Sequence, residues 1–337
     1  MAGDMSINGE FSRKLLEPED CFPDIIGQEE AKRQLKSALL TGRHVIIIGP
    51  PGVGKTTLAK NIARLLPMKA GAANNKNDSR NGSNNESVSE SNIYAKLRIK
   101  TEPFVRVQGS PDLAAEDLIG DIDPVKALEF GPASIEAFTP GKIFRANGGV
   151  LFFDELNRCP EKVQNSLLQV LEEKKATIGS YSVDIDADFI FIGTMNPQDT
   201  STEKLSDVFI DRFDIIQMGY PESDEIEERI VVEKGKRIAE FPQPLLRLTV
   251  GFVRELRENR KLEKLPSVRA TIGLYERSQA NALLRGSNTV SVDDIRNAAM
   301  SVLAHRMELK PSARFLLSAE QLVRDELSDF MKKGGYR

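Results

Sequence analysis

The stretch Val45-Ile46-Ile47-Ile48-Gly49-Pro50-Pro51-Gly52-Val53-Gly54-Lys55-Thr56 runs an apolar strand directly into the pattern GxxxxGK[ST]. A helical segment follows it through Leu66, and strand, glycine loop and helix in that order are the context that marks a phosphate-binding loop. The glycines let backbone N–H groups turn inward around phosphate oxygens, and the helix N-terminus adds partial positive charge. Lys55 is suited to neutralise the β and γ phosphates, and Thr56 to place its hydroxyl on Mg²⁺. Gly49, Pro50, Pro51, Gly52, Val53, Gly54, Lys55, Thr56 and Thr57 are therefore the candidate nucleotide-binding residues.

Outward from this loop, short apolar runs alternate with helical patterns, as expected of an α/β fold with a parallel sheet flanked by helices. Strands are expected at 44–48, 104–107, 150–153, 189–193 and 215–218. The run Val150-Leu151-Phe152-Phe153 ends in two adjacent carboxylates, Asp154 and Glu155. Burying the strand leaves both at its C-terminal edge, where open α/β sheets bind ligands. Asp154 is suited to hold Mg²⁺ and Glu155 to polarise an attacking water, which points to hydrolysis rather than transfer to a metabolite. ATP is the expected nucleotide. Asn75-Lys76-Asn77-Asp78 spells a guanine-reading motif but lacks the strand that would aim its aspartate.

The 337 residues suffice for roughly two domains. Lys plus Arg number 46 against 50 Asp plus Glu, a net charge of −4 that lacks the basic footprint of a general nucleic-acid binder. Cys21 and Cys159 form no CxxC pair, and two histidines, His44 and His305, cannot build a His-rich metal site. No leader-like start and no membrane-spanning apolar run is visible, so a cytoplasmic address is expected. The Asn/Ser/Gly-rich stretch 71–92 is expected to be a disordered loop. Beyond Tyr220-Pro221 the pattern is helical, at about 224–240, 244–259, 267–284, 292–308 and 319–332, which suggests a second, all-helical domain.

Together with the loop and the acidic pair, Thr194-Met195-Asn196-Pro197, Asp211-Arg212-Phe213-Asp214 and Pro266-Ser267-Val268-Arg269-Ala270 resemble an AAA+ ATPase. Gly148 to Arg158, Asp293-Asp294-Ile295-Arg296 and Leu303-Ala304-His305-Arg306 are similar to the MoxR and magnesium-chelatase motor-subunit (ChlI-like) group. The resemblance covers roughly 23–309 and implies roles residue by residue. Asn196 corresponds to sensor 1, Arg212 to an arginine finger donated to a neighbouring subunit, and Arg269 to sensor 2 behind Ser267 as N-cap. Ile26, within Ile25-Ile26-Gly27-Gln28, falls in the segment that packs against adenine. From the residues alone, Asn196 also reads as a turn residue, Arg212 as a surface ion pair and Arg269 as a solvated helix residue. Arg158 competes with Arg212 for the trans-acting role.

The resemblance further implies an extension at 1–22, an ATPase core at 23–220 and a helical lid at 221–337. Within the core it implies a helix-2 insert at 120–142 and a hairpin at 176–188. Phe130, Phe138 and Phe144 could either grip a partner or pin the insert to the core. The implied assembly is a homo-oligomeric ring, most often of six, acting with ATP and Mg²⁺ on a client or adaptor, such as a protein with a von Willebrand A domain. Three other readings stand beside this protein-remodelling motor. They are the ATPase subunit of a magnesium-chelatase-like insertase, a DNA-acting AAA+ machine and a nucleotide-gated scaffold. The charge balance disfavours the DNA-acting machine and the intact Glu155 the scaffold.

Overall fold

The computed structural model describes residues 9–67, 90–178, 183–197, 199 and 205–333. Most of the stretch expected to be a disordered loop, Asn75-Lys76-Asn77-Asp78 included, lies outside them. Its last three residues instead open a helix, Glu90–Lys96.

The strands among the described residues, in chain order, are β1 (His44–Ile48), β2 (Phe104–Gln108), β3 (Gly120–Ile122), β4 (Phe138–Pro140), β5 (Val150–Asp154), β6 (Lys175–Ile178), β7 (Val183–Asp186), β8 (Ile190–Met195), β9 (Phe213–Gln217), β10 (Leu262–Lys264) and β11 (Glu308–Leu309). Five of them form one sheet in the order β2-β5-β8-β1-β9, every pair parallel. Both faces of such a sheet are covered, and the sequence complies: Val45, Ile46 and Ile47 in β1 and Val150 to Phe153 in β5 are all buried. Phe153 stacks on Phe191 of β8 at 6.0 Å, and Phe191 meets Phe213 of β9 at 5.1 Å. Each such ring withdrawn from water stabilises the fold by roughly 2–3 kcal/mol relative to exposure.

Two compact units are distinguished. One comprises Met1–Asp24, Glu30–Ile48 and Lys55–Gln217; the other comprises Ile25–Glu29, Gly49–Gly54 and Met218–Arg337. A division at 220/221 alone therefore misses two short segments that group with the C-terminal part.

In the first unit, β3 and β4 pair antiparallel around the helix Pro124–Phe130. Asp123 caps that helix, its Oδ1 accepting the Val125 N–H at 2.9 Å, and Pro124 takes the first position, where its missing N–H costs nothing. The three aromatics in or beside this insert divide between their two readings. Phe138 and Phe144 are buried and meet edge to face at 6.3 Å, so they pin the insert. Phe130 is half exposed, beside the exposed Val125 and Leu128. Strands β6 and β7 form an antiparallel pair within the stretch where a hairpin is expected, and residues 179–182 between them lie outside the described residues.

The second unit is built on the helices Asp224–Lys234, Gln243–Arg257, Val268–Leu284, Val292–Leu303 and Ala319–Lys333. Its core interleaves Phe252, Leu274, Ile295, Val302 and Leu327. The all-helical expectation needs correction: β10 and β11 pair antiparallel between these helices. They are three and two residues long, too short for a period-two pattern to register. The helix expected to reach 240 stops at Lys234, because Gly235 follows in an extended conformation.

Candidate functional site

The end of β5 carries a dense polar arrangement in the first unit. Register pairs Gln108 with Asp154 and Phe153 with Gly193, so β2, β5 and β8 present their C-terminal ends along one edge. Asp154 Oδ1 accepts the Thr194 hydroxyl at 2.6 Å, and Oδ2 takes Arg106 Nη2 at 2.6 Å. The same Thr194 oxygen accepts the N–H of Glu155 at 3.1 Å. One hydroxyl thus fixes both acidic residues.

Glu155 adopts the left-handed conformation, φ 54° and ψ 50°, between β5 and the turn Leu156–Arg158. A residue with a Cβ gives up on the order of 1 kcal/mol there, and such strain concentrates at functional sites. Its Oε2 accepts Gln108 Nε2 at 2.9 Å and stands 3.2 Å from Arg158 Nη1. Arg158 in turn holds Asp199 through Nε at 2.7 Å and Nη2 at 2.6 Å. Behind this corner the Gly109 N–H donates to the Asp154 carbonyl at 2.7 Å. A Cβ on Gly109 would lie 2.0 Å from the Glu155 carbonyl oxygen. Backbone approach that close requires glycine.

Also in the first unit, Lys55, Thr56 and Thr57 are half-buried at the start of the helix Lys55–Leu65. That helix has no acidic side chain in its first turn to offset its positive end. Asn196 follows β8 directly and is half-buried. Arg212 is engaged by its own chain. Its Nη1 donates to the Val208 carbonyl at 2.6 Å, and Nη2 forms an ion pair with Glu172. The buried Nε has no hydrogen-bond partner among the described residues.

In the second unit, Gly52 and Gly54 have φ of 82° and 103°, conformations open to glycine at little cost. The carbonyl of Met218 faces Gly49 so closely that a Cβ there would sit 2.1 Å away. The aliphatic stem of Arg269 covers Gly52: a Cβ on Gly52 would lie 2.9 Å from Arg269 Cγ. Ile25 Cδ1 takes the corresponding place at Gly54, at 3.0 Å. Ile26 is buried in the same segment, whose next residue but one, Gln28, donates to the Gly219 carbonyl at 2.9 Å. Ser267 occupies the N-cap position of the helix Val268–Leu284, as expected, although its hydroxyl makes no capping bond.

The oxygen donors suit a hard cation. Among the described residues no group of three or more His, Cys, Asp or Glu could hold a metal. Magnesium is commonly bound by one or two carboxylates plus substrate phosphates instead of an all-protein cage, which the Thr56 hydroxyl and the Asp154 carboxylate fit.

Arg106, Gln108 and Thr194 escaped sequence reasoning. Phe104-Val105-Arg106-Val107-Gln108 alternates, which places Arg106 and Gln108 on one face, but ending that strand at Val107 hid the second of them.

The family profile described as magnesium chelatase, subunit ChlI, matches residues 21–206, more than half of the chain. The chain belongs to this family. An AAA lid domain profile matches residues 256–326 of this ChlI-family chain. It is an AAA+ ATPase of the MoxR and ChlI-like group, with the parallel sheet and helical lid described above. The uncharacterized protein YeaC of Bacillus subtilis is 27% identical, over 90% of each chain. The magnesium-chelatase 38 kDa subunit of Chlorobaculum parvum is 26% identical over 86% of this chain and 92% of its own. The chaperone MoxR1 of Mycobacterium tuberculosis is 26% identical over 85% and 73%. The structure of a point mutant of RuvB from Thermotoga maritima aligns with a TM-score of 0.52 at 18% identity, over 94% of this chain and 85% of that one, a likeness of fold. Among the described residues no helix is long and apolar enough to cross a membrane.

Proposed function

We propose that this chain is a Mg²⁺-dependent ATP-hydrolysing ring motor of MoxR type that remodels or activates a partner protein, with ATP bound between neighbouring copies. The observation that carries the reading is the acidic corner: Asp154 fixed by Thr194 and Arg106, and Glu155 presented in a strained conformation beside it. A carboxylate pair held this way at a sheet edge suits hydrolysis of a bound triphosphate.

In this mechanism the backbone of 49–54 and the start of the helix Lys55–Leu65 receive the phosphates, and Lys55 neutralises them. Thr56 and Asp154 would hold Mg²⁺, which would supply charge neutralisation at the phosphate oxygens. Glu155 polarises the lytic water, Asn196 orients it, and Arg269 senses the nucleotide from the lid. Ile26 belongs to the adenine-packing segment. Arg212 leaves Glu172 on assembly and serves the neighbouring copy's γ-phosphate. Fingers of this kind are worth roughly 10³–10⁵ in rate, so the dilute monomer should be nearly inactive.

The family profile also favours a second reading, in which the partner is a metal chelatase. The motor chemistry is then unchanged, and an adaptor with a von Willebrand A domain would link motor to client in either case.

Mixing separates trans from cis action. A Lys55→Ala chain and an Arg212→Ala chain are each expected to be inactive, and their mixture to recover part of the ATPase activity as intact half-sites face each other. No recovery, with mixed assembly verified, removes Arg212 from the trans role.

A further inference from the structure

We infer that Glu227, Arg257 and Thr271 are positioning residues that hold Arg269 over the glycine loop, and so set nucleotide affinity without touching nucleotide. The inference rests on the proposed role of Arg269. Glu227 is completely buried on the helix Asp224–Lys234, and Arg257 grips it with a two-pronged contact, Nη1 to Oε2 at 2.6 Å and Nη2 to Oε1 at 2.7 Å. Thr271, also fully buried, donates its hydroxyl to Glu227 Oε1 at 2.7 Å. Arg257 Nε donates to the Pro266 carbonyl at 2.9 Å.

These contacts bracket Arg269 in sequence, three residues before it and two after. The helix that carries Arg269 starts at Val268 without a side-chain cap, so its first turn takes its anchor from this buried cluster. The face of Tyr220 lies 4.5 Å beneath the Arg257 guanidinium, two residues from Met218, whose carbonyl abuts Gly49. Arg254 completes the cluster, 3.4 Å from Glu227 Oε2 and bonded to the Pro221 carbonyl at 2.8 Å. The ionic cluster therefore touches both segments that pack on the glycine loop: the Arg269 turn against Gly52 and the 218–221 linker against Gly49.

A buried ion pair seldom stabilises a fold more than apolar packing of the same volume, because desolvation offsets its attraction. Its directional bonds do fix geometry. Both prongs, the hydroxyl and the carbonyl contact must be made together for the cluster to be satisfied, which leaves the Arg269 turn one arrangement relative to Gly52.

The test is a double-mutant cycle read by equilibrium binding of Mg·AMP-PNP. Thr271→Val keeps shape and removes the hydroxyl, Thr271→Ser restores it, and both are combined with Arg269→Ala. Thr271→Val is expected to weaken binding about fivefold, Thr271→Ser to bind about as wild type, and Thr271→Val to add nothing once Arg269 is alanine. Arg257→Lys, which keeps the charge and loses the fork, should follow the Thr271→Val pattern and serves if that variant does not fold. Wild-type affinity in Thr271→Val and Arg257→Lys, or equal weakening with and without Arg269, overturns the positioning role while leaving Arg269 itself in place. Wild-type affinity in Arg269→Ala alone instead removes Arg269 from the site, and the positioning role falls with it.

Discussion

Arg106 holds Asp154 by a 2.6 Å contact to Oδ2, so the carboxylate proposed to bind Mg²⁺ already carries a cation of its own chain. The guanidinium is about half exposed, whereas Asp154 is largely sheltered at 17% side-chain exposure, so screening by water does not erase the pair. A divalent ion arriving at the same carboxylate is repelled by this neighbour. Arg106→Ala is expected to lower the Mg²⁺ concentration giving half-maximal ATPase by about two- to fivefold, while Thr194→Val, which frees the other oxygen, lowers turnover. A magnesium titration checks both; a higher metal requirement in Arg106→Ala would show that Arg106 supports the ion instead of opposing it.

Gly109 sets the spacing between β2 and the acidic corner. With a Cβ 2.0 Å from the Glu155 carbonyl, Gly109→Ala must push backbone against backbone, and no flexible side chain can yield. The expected cost is about 2–3 kcal/mol of stability, measurable by denaturant unfolding, with the corner displaced as well. An unchanged midpoint would mean that the corner adapts freely to the added methyl.

His44 makes stability pH-dependent. Its Nδ1 accepts the Phe191 N–H at 3.1 Å, and burial drives its pKa down to about 4, only partly opposed by Asp188 and the Leu171 carbonyl. Lys174 lowers it further. Because the folded value lies below the unfolded one, the native state is favoured fully above pH 6.5 and loses this contribution as pH falls toward 4. The loss approaches about 3 kcal/mol at the acid end. His44→Leu should flatten that limb of the stability curve relative to wild type. A wild-type curve of equal slope in the variant would assign the acid sensitivity to other groups.

Those partners also show what a linear reading can and cannot reach. The turn of the glycine loop and the strand-end position of Asp154-Glu155 are legible because each lies in contiguous residues: an apolar run, and for the loop a turn that glycine alone adopts, then a helix. Strands β1 and β5 announce themselves for the same reason. Arg106 and Thr194 acquire meaning only because the sheet order β2-β5-β8 sets them on either side of Asp154, 48 and 40 residues away in sequence. Likewise Arg212 reads from its own neighbours as a surface ion pair, and only the fold supplies its partner, Glu172, 40 residues earlier. Phe138 and Phe144 looked equivalent to Phe130, and only packing of the insert separates them. Ser267 sits where a cap belongs, yet the turn it begins is anchored by Arg257.

Glu155 carries the central proposal, activation of the water that attacks the bound triphosphate. The deciding measurement is Mg·ATP binding and turnover on purified wild-type protein and Glu155→Gln side by side. The account predicts that both bind Mg·ATP with similar affinity, and that turnover in Glu155→Gln falls by at least about a hundredfold. Undiminished hydrolysis in Glu155→Gln, or a wild-type protein with no affinity for Mg·ATP, would contradict it.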